Sequence, residues 1–236
     1  MIGHEMTTVD PRKIDEFWAW FVEVSDSLIA GIERPGLMSR LDDLVRGLHP
    51  GLIWEISVGM KTIRQLTISP NFNRDLLPVA RRILFNAPVL PHWEFYATRT
   101  PKEWNYKVLL KSHAERPVEL DVNDWVFILL SAPDGGWHVL LSGKNLPLLT
   151  DSQRRQAAGD VLCNILGEQL VMDVITEFEL VHRFHHYLAH RATSIRFLPV
   201  AIANVQRCKS CGEEHELTDD SIMFRLNSDG TEEGEI

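Results

Sequence analysis

Hydrophobic and polar positions along this chain follow a helical period in some stretches and a strand period in others. Asp10 followed by Pro11 is an N-cap with proline in the first turn, and Ile14, Phe17, Phe21, Val24 and Leu28 recur at helical spacing, which predicts a helix over residues 11–31. ERPG breaks that pattern. Leu37, Leu41, Leu44 and Leu48 then form the stripe of a second helix, closed by HPG. The strand-like runs LIWEISVG and RQLTISP follow, joined by a short polar link that predicts a hairpin. PNFNRD is turn chemistry, and LLPVARRILFNAP is a third helix stopped by Asn86, Ala87 and Pro88.

Beyond that helix the pattern changes to strands. The runs are HWEFYATR, WNYKVLL, RPVELD, WVFILLSA and WHVLLSG, the last two flanking a turn of Pro133, Asp134, Gly135 and Gly136. Thr150 and Gln153 have capping-box spacing ahead of a long helix near residues 151–170, and DVITEFEL reads as a further strand. Helices flank antiparallel-looking strands without the regular alternation of a doubly wound fold. The expected class is therefore α+β, with N-terminal helices and a mixed, mostly antiparallel sheet. The expected organisation is an α+β core domain over residues 1–180, a C-terminal extension over 181–226, and an acidic tail over 227–236 that is expected to be disordered.

The segments EFWAWF, WEISVG, LTISP and NAPVLPHWEFYATR resemble a family of small bacterial cytoplasmic α+β proteins of unknown function. The resemblance covers roughly residues 16–180 and implies a helix-rich start followed by a mixed sheet. It implies no catalytic residue, and it leaves residues 181–236 outside the shared pattern.

Composition adds limits. The chain has 236 residues, 44% hydrophobic and 24% charged, enough to bury a sizeable core. Its first residues lack the basic-then-apolar order of a leader, and no run approaches the ~18–20 apolar residues of a membrane span, so the expected compartment is the cytoplasm without membrane association. Of the net charge of −9, residues 213–236 carry −8, with nine acids against Arg225 alone. The near-neutral remainder offers no linear basic footprint, and nucleic acid is not an expected partner.

Two constellations carry candidate metal chemistry. HRFHHYLAH holds four histidines in nine positions; in a helix His182, His185, His186 and His190 fall at about 0, −60, 40 and 80°, which is one face. Imidazoles at i and i+4 can share zinc, whereas the bland reading is a solvated helix face with Phe184, Tyr187 and Leu188 in the core. Cys208 and Cys211, with Gly212 just after and His215 beyond, fit the turn of a zinc knuckle but supply at most three ligands. His186 is the candidate fourth, which makes a structural zinc the candidate cofactor. A redox pair and two reduced surface thiols are the alternatives.

Other signals are weaker. There is no Gly-rich phosphate loop and no GxSxG elbow. Glu55 and Glu94, inside strand-like runs, form either an acid/base pair across a sheet or two solvated strand-face residues. Asp121, Asn123 and Asp124 read as a turn rather than a calcium loop. Among seven tryptophans, Trp18 and Trp20 lie about 200° apart on one helix, so one is expected to face outward as a partner-binding residue.

Together these features favour a non-enzymatic cytoplasmic protein-binding protein, immunity-like or regulatory, whose partner is another protein. The competing reading is a metal-dependent enzyme that uses the histidine face. Elemental analysis of untagged protein separates them: a knuckle built on Cys208 and Cys211 holds stoichiometric zinc that is lost on Cys208→Ser, and metal-free protein removes both metal readings.

Overall fold

The computed structural model describes residues 9–30, 36–110, 118–132, 135–146 and 149–211, the last five through their backbone alone. Helix α1 (Pro11–Ile29) starts at Asp10, whose side chain accepts from the Arg12 amide at 3.0 Å. It buries Ile14, Phe17, Trp18, Phe21, Val24 and Leu28, and α2 (Leu37–Leu48) adds Leu37, Leu41, Val45 and Leu48. Strands β1 (Ile53–Val58) and β2 (Arg64–Ser69) form the expected antiparallel hairpin. Helix α3 (Leu77–Phe85) then returns the chain so that β3 (Trp93–Tyr96) lies parallel to β2, in the order β1-β2-β3.

That sheet has two unlike faces. Leu66, Ile68, Trp93 and Phe95 pack with α1, α2 and α3 in a first apolar core. Edge-to-face rings fill it: Trp18 lies 4.9 Å from Phe95 and Phe21 4.8 Å from Trp93, and the Trp18 indole N–H donates to the Ile83 carbonyl at 2.9 Å. The alternate positions of β2 are Gln65, Thr67 and Ser69. An alternating strand ordinarily turns such residues to water, yet all three are buried.

The second half of the chain covers them. It comprises the ribbon β4 (Lys107–Leu110) and β5 (Val118–Asp121), then β6 (Val126–Ser131), β7 (Trp137–Ser142), α4 (Asp151–Leu166), α5 (Glu168–Val174), β8 (Ile175–Leu180), β9 (Thr193–Ser194) and α6 (Leu198–Cys211). The larger sheet has the order β8-β7-β6-β9, with β8 parallel to β7 and β9 antiparallel to β6. Phe127, Leu129, Val139 and Leu141 share one face of it and form a second apolar core with α4 and α6. α6 contributes Leu198, Ala201, Ile202 and Val205, so residues 193–205 are built into this body through β9 and α6.

The protein is thus α+β, with two parallel strand pairs that the sequence pattern did not resolve. Each follows from a helical crossover, through α3 in one case and α4–α5 in the other. The Thr150–Gln153 capping box forms as expected, but the helix expected near 151–170 breaks at Gly167. There φ is +79°, and an added Cβ would stand 2.9 Å from the Pro101 ring. No described helix is long and apolar enough to cross a membrane.

A polar seam joins the two cores, and Glu168 is its centre. Its fully buried carboxylate accepts from the Ser69 hydroxyl at 2.8 Å and the Phe72 amide at 2.9 Å through Oε1, and from the Arg99 amide at 3.0 Å through Oε2. The Arg99 guanidinium lies 3.7 Å away at Nε, donates to Asp160 at 3.1 Å and stacks 4.9 Å over the Phe72 ring. Lys102 pairs with Glu55, and Gln65 donates to the Thr100 hydroxyl at 3.0 Å. Removing one partner of a buried charge network strands the others: Glu168→Ala is expected to destabilise the protein by about 3–5 kcal/mol, and Ser69→Ala by no more than about 1.5–3 kcal/mol. Urea denaturation measures both, and equal losses would contradict the central place of Glu168.

Candidate functional site

The β1–β2 turn does not have the polar character expected of the link between two strands. Val58, Met60 and Ile63 sit in or beside it, and the first two are 73% and 65% exposed. The turn closes by a bond from the Gly59 amide to the Ile63 carbonyl and another from the Thr62 hydroxyl to the Arg64 carbonyl. Only glycine fits at 59, because an added Cβ would lie 2.6 Å from the Thr62 carbonyl oxygen.

Glu94 on β3 pins the tip from the neighbouring strand. Its carboxylate accepts from the Met60 amide at 3.1 Å, from the Lys61 amide, and from the Tyr96 hydroxyl at 2.8 Å. Burial acts to raise the Glu94 pKa, but the Tyr96 hydroxyl and the Lys61, Met60 and Thr62 amides outweigh it and hold the carboxyl below its ordinary range. Burial first, and then the hydrogen bond to Glu94 and its nearby charge, raise the Tyr96 phenol.

Topology extends this apolar end. Because β3 runs parallel to β2, with Arg64 beside Trp93 and the Arg64 amide bonded to the His92 carbonyl at 3.1 Å, the chain must enter β3 at the hairpin end of the sheet. The segment leaving α3 therefore arrives there too, carrying Phe85 and Val89 at 90% and 98% exposure. Val58, Met60 and Ile63 on the hairpin, and Phe85 and Val89 on the end of α3 and the segment leading into β3, thus lie on elements that meet at one end of the sheet, and the same elements carry the exposed Lys61, Arg82 and His92. Scattered exposed apolar residues are ordinary, but five gathered at one end of a sheet form a patch of the kind that marks an interaction site.

No family model, curated protein or solved structure shows a significant match to this chain.

The candidate residues from the sequence fall elsewhere. HRFHHYLAH is not a helix but a turn running into a 3-10 segment at Ala189–Arg191, so the one-face arrangement required for i and i+4 ligands does not form. His182, His185, His186 and His190 are all exposed, with the His185 and His186 rings 4.4 Å apart. Cys208 and Cys211 lie on the last turn of α6 rather than in a tight knuckle, and their side chains and His215 are outside the described residues. Among the described residues no group of three or more His, Cys, Asp or Glu is placed to hold a metal ion.

Trp18 is a buried core residue and Trp20 is partly buried against the same core, so neither is the outward indole that the helical spacing suggested. Glu55 and Glu94 lie on the same face of the sheet but flank β2, with Glu55 opposite Thr67 and Glu94 beside Gln65. That places them two strand spacings apart and two residues out of register, roughly 12 Å, and each is committed to another partner. Asp121 caps its own turn by accepting from the Asn123 amide at 2.9 Å, as expected.

Cys163, in the seam, is a poor nucleophile. Burial pushes its thiol up to about 12, with Arg99 only partly offsetting the burial and the nearby carboxylates.

Sequence reasoning passed over the hairpin end because it treated GMKTI as a polar link. The available signal was the placing of Val58, Met60 and Ile63 in a turn and of Phe85 and Val89 around a helix stop, positions where apolar side chains have no core to enter. A group with a depressed pKa lends stability above its unfolded value and loses it as pH falls through the folded value. The Glu94 clamp is therefore expected to hold at neutral pH and release only below the ordinary glutamate range near 4.3. The Met60 and Lys61 amide resonances, followed by NMR from pH 7 to 2, report that midpoint, and a midpoint above about 4.5 would contradict the clamp.

Proposed function

We propose that this chain is a non-enzymatic, cytoplasmic protein-binding protein that engages its partner through the apolar hairpin end of the β1-β2-β3 sheet. The observation that carries the proposal is the convergence of Val58, Met60, Ile63, Phe85 and Val89 on one end of a sheet whose turn is fixed by Glu94. A preformed tip loses little entropy on binding, and Met, Phe and aliphatic anchors inside a polar fringe match the anatomy of a protein interface.

Magnitudes favour a moderate, reversible contact. Fully burying five such side chains yields about 8–15 kcal/mol at about 1.5–3 each, against an association cost of about 4–15. The fringe of Lys61, Arg82 and His92 suits a partner that sets acidic groups around apolar anchors. It does not favour the basic partner of an immunity-like pair.

Variants M60D and V89D change exposed side chains and leave both cores intact. Affinity capture from the native host, quantified by mass spectrometry, is expected to recover a partner with the wild type and with the distant control V200D, and to lose it with M60D/V89D. Equal recovery by all three proteins, or no partner with any of them, would overturn the reading.

A further inference from the structure

A second surface stands apart from the hairpin end. Beside the exit of β2, the turn after Ser69, helix α5 and strand β8 enclose a groove of about 1020 Å³. Phe72, Val174 and Phe178 form part of its partly buried apolar lining. Arg74 and Arg155 reach it from two different elements, and neither makes an ion pair or side-chain hydrogen bond with a described residue. Two exposed acids line it as well: Glu177 on β8, and Asp173 on α5, which already accepts from the Gln169 side-chain amide at 2.9 Å. Gln206 of α6 lines the same groove, and α6 ends five residues later at Cys211.

We propose that this groove is the docking site of the chain's own segment Asp219–Leu226, DDSIMFRL. The segment carries Asp219 and Asp220, then Ile222, Met223 and Phe224, then Arg225, which is the single base among residues 213–236. Its order of acid, apolar run and base complements the groove: carboxylates for Arg74 and Arg155, apolar side chains for Phe72, Val174 and Phe178, and a guanidinium for Glu177.

Reach supports the pairing. Seven residues separate Cys211 from Asp219, and at about 3.3–3.6 Å each they span up to about 23–25 Å. The last five residues of α6 carry the chain only about 7.5 Å past Gln206, which is already at the groove. A tether this short gives an effective concentration in the millimolar range, so an intrinsic affinity of about 1 mM suffices for substantial occupancy. Groups of opposite charge then add selectivity for this segment over the more uniformly acidic stretch that follows it.

NMR of the full chain tests the assignment. The wild type is expected to show nuclear Overhauser contacts between the Val174 methyls and the side chains of Ile222 or Phe224, independent of protein concentration, and I222D/F224D is expected to abolish them while leaving the body's spectrum in place. R74E/R155E is expected to weaken the contacts, and D219R/D220R in that background to restore them. Absence of any such contact in the wild type would overturn the proposal, as would contacts that grow with concentration, which would put a second copy's segment in the groove. Contacts unmoved by the charge reversal would overturn the electrostatic part of the assignment.

Discussion

The Glu168 carboxylate lies where a charge is most costly, fully buried between two apolar cores that do not merge. Desolvating such a group costs several kcal/mol, and the surroundings offset it with donors drawn from separate parts of the chain. Ser69 comes from β2, Phe72 from the turn that leaves it, and Arg99 from the segment after β3. Each donor belongs to the first half of the chain and the acceptor to α5, so satisfying one buried group sets the position of the two halves. The turn itself depends on the same bond. Asn71 and Phe72 have φ of 52° and 64°, a conformation that costs a non-glycine residue about 1–2 kcal/mol, and their amides are held by the Ser69 hydroxyl and the Glu168 carboxylate.

Around that centre the seam is polar by design of the strand pattern. Gln65, Thr67 and Ser69 alternate with Leu66 and Ile68, so one side of β2 feeds an apolar core and the other a layer of charges and hydroxyls. Arg99 ties this layer to Asp160 on α4, and Lys102 ties it to Glu55 on β1. Burial raises the Asp160 pKa, with Arg99 opposing it. The sheet is thereby fixed on both faces, and its hairpin end is free to project apolar side chains without disturbing what holds the molecule together. That separation of a rigid scaffold from an exposed tip is what a recognition surface requires.

Much of the scaffold was legible in the amino-acid order. The Asp10 cap, the Thr150–Gln153 capping box and the apolar stripe of α1 are local signals whose meaning does not depend on distant contacts. Features set by tertiary partners were not legible. Period-two alternation marks Gln65, Thr67 and Ser69 as one face, but only α5 arriving from 99 residues away reveals that the face is dry. The helical reading of HRFHHYLAH failed because four closely spaced imidazoles say nothing about backbone, and the segment instead forms the turn that leads from β8 towards β9. Trp20 found cover from the core despite its angle to Trp18. The hairpin end was visible as misplaced hydrophobicity, and what assembled it was the parallel pairing of β2 with β3, a long-range choice that no local window contains.

If Glu168 couples the cores, it should also govern whether they unfold together. Differential scanning calorimetry of the wild type and of Glu168→Leu, which keeps bulk and removes the acceptor, tests this directly. The wild type should melt in one transition whose van't Hoff and calorimetric enthalpies agree, and the variant should resolve into two transitions as each apolar core melts by its own packing. A single transition with matching enthalpies in the variant would show that the cores are coupled by something other than this carboxylate.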